Sequence, residues 1–268
     1  MQTKEPETSA RIEPGLESFG QQLLAFFKKT NNSLKYLLLL LSLETLAWSD
    51  VFYDGTAARP GGISWADLNV AITLLLAVFA VNRRKWVMAV AATLALLALG
   101  WSWGAAFLPT QAVYIASDLC SGLFFAFVAG VVWYDIGQTE GVTTDTLIGS
   151  VCAYALIAAT WAFAYSLTDL LAPGSFQFPT SAGSGAQTAP HPDYSSFLYY
   201  SFITICSVGY GDVVPLKPAA RMLATGEAVI GQFYMAILVA RLVSLHLEQA
   251  RRKNSAPQPA GTAAPKEE

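Results

Sequence analysis

Six apolar blocks separated by short polar breaks organise the chain: roughly Leu34 to Phe52, Trp65 to Val81, Trp86 to Leu108, Val113 to Tyr134, Leu147 to Leu171 and Ala219 to His246. A helix of about 20 apolar residues crosses a bilayer. Backbone in lipid has to satisfy its own hydrogen bonds, so each block predicts a membrane-spanning helix. The first is the least apolar, with Lys35 at its mouth and Glu44 near its middle. A seventh run, Tyr194 to Val208, is too short to span and leads into Gly-Tyr-Gly-Asp. It predicts a re-entrant element that dips into the membrane and returns.

Composition agrees with this pattern. Of 268 residues, 54% are hydrophobic and 13% charged, about half the charged share of an ordinary globular domain. The mean hydropathy is +0.42. A net charge of −3 without a basic face speaks against nucleic-acid binding. Cys120, Cys152 and Cys206 lie inside apolar runs at no metal-ligand spacing and read as free thiols. No nucleophile–base pair, phosphate loop or metal cluster is present to support an enzyme or a cofactor site.

Basic residues set the expected orientation. Lys28, Lys29 and Lys35 precede the first block, Arg83, Arg84 and Lys85 separate the second from the third, and Arg251, Arg252 and Lys253 follow the last. The positive-inside rule then places both termini in the cytoplasm, with Arg59, Lys217 and Arg221 outside. Residues 1–32 lack the apolar core of a cleavable signal. Leu16, Phe19, Leu23, Phe26 and Phe27 recur there at helical spacing, which fits either an interfacial amphipathic helix or a solvated leader. The chain thus divides into this leader, a four-helix module over 33–136, a linker over 137–146, a helix–loop–helix unit over 147–246 and a disordered tail over 247–268.

The run with chemistry in it is Tyr199-Tyr200-Ser201-Phe202-Ile203-Thr204-Ile205-Cys206-Ser207-Val208-Gly209-Tyr210-Gly211-Asp212. It resembles the pore helix and selectivity filter of tetrameric potassium channels of the bacterial type, over about Leu147 to His246. Pro215, Arg221 and Gly231 stand where that family has a turn, an outer-mouth arginine and an inner-helix hinge glycine. The physical requirement accounts for the residue types. A potassium ion sheds water only where rings of backbone carbonyls replace it. Consecutive carbonyls face one axis when the backbone alternates between right- and left-handed regions, and glycine enters the left-handed region freely, hence Gly209 and Gly211 around Tyr210. Val208 and Tyr210 are expected to point away from the axis and brace the filter against the pore helix. One such segment cannot enclose an ion, so four copies of the chain are implied.

The resemblance implies that Ser207, Val208, Gly209, Tyr210 and Gly211 bind the permeant ion, with Asp212, Tyr199, Tyr200, Thr204 and Glu227 supporting them. Ser207 stands where the family has threonine; it keeps the hydroxyl and loses the methyl that restrains its rotamer. Cys206 replaces the threonine before it. Ile203 stands where some members carry a glutamate bonded to the filter aspartate, which leaves the Tyr199 phenol as a partner for Asp212. Gly231 serves either as a hinge or for close helix packing. Gln232, Met235 and Val239 recur at about one helical turn and face the cavity by the family register. Glu227 is an intramembrane acid, either hydrogen-bonded behind the filter or a pH sensor.

A voltage sensor needs regularly spaced basic residues in its fourth helix. Val113 to Tyr134 holds none, and Asp118 has the opposite sign. His191, in the Gly/Ser/Pro-rich outer loop, and His246 read as ordinary solvated residues. The expectation is an all-α membrane protein: six spans, a re-entrant pore helix between the fifth and sixth, and a homotetrameric plasma-membrane potassium channel with weak voltage dependence. Its partners would be K+, its own copies and lipids. The competing readings are a potassium uptake transporter, disfavoured by the single Gly-Tyr-Gly, and a non-conducting subunit with a structural filter.

Overall fold

The computed structural model describes residues 32–47, 65–80, 85–108, 110–138, 143–179 and 194–255. The leader, the loop carrying Arg59, the Arg83–Arg84 pair, His191 and the tail after residue 255 lie outside the described residues. The described chain is helical except for one small strand pair. Its elements are α1 (Asn32–Ala47), α2 (Trp65–Ala80), α3 (Lys85–Phe107), α4 (Gln111–Gly137), α5 (Thr144–Leu171), β1 (Phe176–Gln177), α6 (Tyr194–Ile205), β2 (Val214–Pro215) and α7 (Pro218–Ser255).

Four stretches are long and apolar enough to cross a membrane: Lys85–Gly104, Gln111–Gly137, Thr144–Leu171 and Pro218–Glu248. Helices α1 and α2, at 16 residues each, fall short of that length, and Asn69–Ala80 is the apolar part of α2. Helix α6 has 12 residues, about 18 Å, little more than half the hydrocarbon thickness.

Helix α5 is the hub, packed by α1, α4, α6 and α7. Its N-terminus is capped by Thr143, whose hydroxyl accepts the Thr146 N–H at 3.2 Å, and Asp145 adds negative charge to the first turn. Beyond the cap α5 buries a series of small side chains: Gly149, Cys152, Ala153, Ala155, Ala158, Ala159 and Ala162. Small residues let neighbouring backbones come close, which is how helices pack where lipid removes the hydrophobic drive. A Cβ on Gly149 would lie 3.3 Å from the Tyr36 ring of α1. On the α4 side, a Cβ on Gly122 would lie 3.2 Å from Phe163, and Phe125 stacks on Phe163 at 5.5 Å between centroids.

The chain is nearly all helical, as expected, and one strand pair of two residues each is added to it. Phe176 pairs with Pro215 and Gln177 with Val214, antiparallel. Leu216 N donates to Ser175 O at 2.8 Å, Lys217 Nζ to Pro173 O at 2.7 Å, and Ser175 N to the Asp169 carboxylate at 2.9 Å. The segment after α5 is thereby bound to the segment that follows residues 207–212.

Candidate functional site

Helix α6 is seated on α5 by hydrogen bonds at both ends and in the middle. Tyr194 OH donates to Ala159 O at 3.2 Å, Ser201 Oγ to Ala158 O at 2.7 Å, and the Tyr154 hydroxyl of α5 to Ile205 O at 2.8 Å. The chain then reverses over residues 206–211. Ser207 N donates to Thr204 O at 2.9 Å, Val208 N to Ile203 O at 2.8 Å and Gly209 N to the same oxygen at 3.2 Å. The N–H groups of residues 207–209 therefore turn back onto the end of α6. No carbonyl of residues 207–211 accepts a hydrogen bond among the described residues.

The backbone of this segment alternates in hand. Ser207 has φ 56°, Gly209 φ 57° and Gly211 φ 78°, while Val208 and Tyr210 between them do not have positive φ. Ser207 is the one non-glycine residue with positive φ among the described residues. A side chain there costs on the order of 1 kcal/mol or more, so the conformation is imposed by its surroundings. The result is a short exposed strip of unpaired carbonyls following a helix whose C-terminal, electronegative end lies beside it.

Asp212 closes the strip. The Tyr199 hydroxyl donates to Asp212 Oδ2 at 2.6 Å, and Val213 N donates to Oδ1 at 3.0 Å. The bond from Tyr199 is the main reason that the Asp212 carboxyl sits below the ordinary carboxylate range, and the Val213 N–H adds to it. On the other flank Glu227 of α7 is fully buried. It accepts from Tyr165 OH of α5 and is hydrogen-bonded to Ser201 Oγ of α6, so one carboxyl links three helices. Tyr200 meets the Tyr165 ring edge-on at 5.0 Å, and the Thr204 carbonyl accepts the Ser207 N–H. Tyr165, Phe176, Phe197 and Tyr200 form one aromatic cluster beside the carboxyl.

Gly231 of α7 lies against the end of α6. A Cβ there would sit 2.4 Å from Ile205 O and 2.7 Å from Ile205 Cγ1, so any larger residue collides with backbone. Close approach alone accounts for the glycine. The next residue reaches the strip: Gln232 Nε2 donates to Ser207 Oγ at 2.8 Å. Ser207, Ala228, Val229, Gln232, Phe233 and Ala236 line one open hollow. Met235 and Val239, expected beside Gln232, are exposed on α7 and do not line that hollow.

The expected bracing by Val208 and Tyr210 is not made within one chain. Val208 is 50% exposed and Tyr210 73% exposed, because α6 lies on the N–H side of the strip and leaves both side chains uncovered. Three groups that order this region were not singled out from the sequence: Tyr154, Tyr165 and Ser201. Polar residues at helical spacing inside apolar helices were the available signal. Arg241, a cation inside the last apolar block, was also missed; its Nη2 donates to Gly137 O at the end of α4 at 2.6 Å. Asp118 of α4 accepts from Ser166 of α5 at 2.6 Å.

Comparison with known proteins bears on the same half of the chain. A family model described as an ion channel matches residues 141–247. Two pore potassium channel c of Oryza sativa subsp. japonica is 36% identical over 76 residues, 28% of this chain and 15% of that protein. Two-pore potassium channel 5 of Arabidopsis thaliana is 32% identical over 73 residues, 27% of this chain and 17% of that protein. Protein LctB of Geobacillus stearothermophilus is 34% identical over 108 residues, 40% of this chain and 78% of that protein. The chain therefore spans only 15% and 17% of the length of the two plant channels. No solved structure matches it.

Proposed function

Because the chain belongs to the ion channel family, we propose that four copies of it enclose a potassium-selective pore in the plasma membrane. Potassium flows down its electrochemical gradient past the carbonyls of Ser207 to Gly211, with the Ser207 hydroxyl as the innermost ligand and Asp212 at the outer mouth. The observation that carries this reading is the alternation of positive φ at Ser207, Gly209 and Gly211, together with N–H groups turned onto α6 and carbonyls left unpaired. Such a strip stands exposed in a single copy, and the uncovered Val208 and Tyr210 call for neighbours. Four strips around one axis supply what a dehydrated cation requires. The names of the two plant proteins support potassium as the ion.

In this reading α1 to α5 and α7 are the six spans, α6 is the re-entrant pore helix, and both termini lie in the cytoplasm with lipid around the tetramer. Helix α4 carries no Lys or Arg over Val113 to Tyr134, which supports weak intrinsic voltage dependence. The test is the reversal potential of the purified protein in a planar bilayer, with potassium on one side, sodium on the other, and voltage steps applied. A reversal strongly favouring potassium with little voltage dependence is expected. A non-selective current would reject the filter assignment, and silence would favour a non-conducting subunit.

A further inference from the structure

We infer that Gln232 is a positioning residue for the innermost ion site: it holds the Ser207 hydroxyl in register, doing for serine what a β-methyl does for threonine. The inference rests on the reading of residues 207–211 as the ion path. Ser207 is in an unusual position. It is a non-glycine residue at φ 56°, and its side chain has one rotatable bond and no branch to restrict it. A hydroxyl has one proton and two lone pairs. If it turns freely, the oxygen presented to a cation is not fixed. The Gln232 amide N–H occupies one lone pair at 2.8 Å and so fixes the direction of the rest.

The neighbourhood is built to make this contact. Gly231 removes the Cβ that would strike the Ile205 carbonyl at 2.4 Å, bringing α7 against the end of α6 at the height of Ser207. Tyr154 fixes that carbonyl with its hydroxyl at 2.8 Å. The adjacent Gln232 then reaches the serine, and among the residues lining the hollow below Ser207 these two alone carry polar side chains. An amide is otherwise costly on an apolar helix face, and this position gives it a partner.

Barium matches potassium in size and carries twice the charge, so its block reports on the geometry of an oxygen site. The test uses the full-length protein in bilayers and measures barium block from the cytoplasmic side and the potassium-to-rubidium permeability ratio. Gln232→Met, of similar length without a donor, is expected to weaken barium block about tenfold, the size of one net hydrogen bond. Adding Ser207→Thr to that variant should restore block to within about threefold of the original, since the methyl supplies the missing restraint. In a Ser207→Ala background, Gln232→Met should change nothing further. Unchanged block in Gln232→Met, or a loss that Ser207→Thr does not repair, overturns the inference and leaves the channel reading standing. A Gln232→Met protein that fails to assemble with and without Ser207→Thr assigns Gln232 to packing and overturns it too. An unsubstituted protein without potassium-selective current would instead reject the channel reading, and this inference with it.

Discussion

The two sides of α5 are held in different ways. On the side of α1 to α4 the contacts are mostly apolar: Leu39, Leu43, Leu74, Ala77, Phe124 and Val128 are buried among one another, with Ser166–Asp118 and Gln111–Leu170 O as polar links between α5 and α4. Ser42 and Thr93 return to their own helices, to Leu39 O and Ala89 O. The Thr45 and Thr73 hydroxyls divide between their own helix and longer crossings of 3.2 and 3.4 Å, while the bond from Ser166 of α5 across to Asp118 of α4 is short. On the side of α6 and α7 the hydroxyls cross between helices: Tyr154 to Ile205 O, Ser201 to Ala158 O, Tyr234 to Ser150 O, and Tyr165 to Glu227. Apolar packing tolerates sliding and repacking, whereas a hydrogen bond weakens steeply with distance and angle. Directional bonds are concentrated where the backbone of residues 207–211 has to be held in one geometry.

The largest break in this contrast is expected from Glu227→Leu. It leaves the Tyr165 hydroxyl without its acceptor and removes one of the two Ser201 contacts, deep among three helices. Orphaning buried polar groups costs roughly 2–4 kcal/mol here, enough to lose the folded assembly. Thermal unfolding in detergent and bilayer current should both show it. Glu227→Gln keeps an acceptor for Tyr165 and a polar partner for Ser201, so it should assemble and conduct; an unchanged pH response in that variant would remove Glu227 as a proton sensor. By contrast, Leu43→Val in α1 should lower stability by about 1 kcal/mol with ion selectivity unchanged.

Gly231→Ala comes next. Its new methyl meets the Ile205 backbone and not a flexible side-chain tip, so α6 or α7 has to shift. Overpacking of this kind costs about 1–3 kcal/mol. Because the displaced group is the end of α6, current should fall by more than the stability loss explains. A conducting Gly231→Ala protein of ordinary stability would show that the close approach is dispensable.

These residues also show what a sequence conveys. The strip at 207–211 was legible because its chemistry constrains residue type at each position, with glycine where the backbone turns left-handed. Asp212 and Tyr199 were legible as a pair because they lie 13 residues apart within one short helix and its turn. Glu227 stood out as an acid in an apolar block, but its partners Tyr165 and Ser201 are 62 and 26 residues away, too far along the chain for spacing to pair them with it. The β1–β2 pair was illegible because two residues per strand give no periodicity. Gln232, Met235 and Val239 share the α7 face that carries Ala228, and Met235 and Val239 are exposed there, beyond the hollow that Ala228 and Gln232 line.

At the outer mouth a smaller effect is expected from Tyr199→Phe. The Asp212 carboxyl is held below its ordinary range by the Tyr199 hydroxyl, so the bond is fully present above the ordinary value, about 3.9, and is lost as pH falls through the lowered one. External acidification below about pH 4 should therefore reproduce the Tyr199→Phe phenotype, read as faster decay of current during a sustained step. In Tyr199→Phe itself that acid response should largely disappear. An acid response of the same size in both proteins would place the titrating group elsewhere.

The smallest effect in free energy bears most directly on the contrast between the two sides. Arg241 of α7 donates to the last carbonyl of α4 at 2.6 Å, a directional bond that ties the apolar module to the inner helix. A cation at a helix C-terminus contributes about 0.3–1 kcal/mol, so Arg241→Met should leave thermal stability and selectivity nearly unchanged. What should change is the freedom of the inner end of α7. Spin labels at Gln138 and Val243, in a background free of native cysteines, should give a narrow distance distribution that broadens in Arg241→Met. If it stays narrow, apolar contacts suffice to hold α7 against α4. The division between a packed side and a hydrogen-bonded side would then stop short of the inner end of α7.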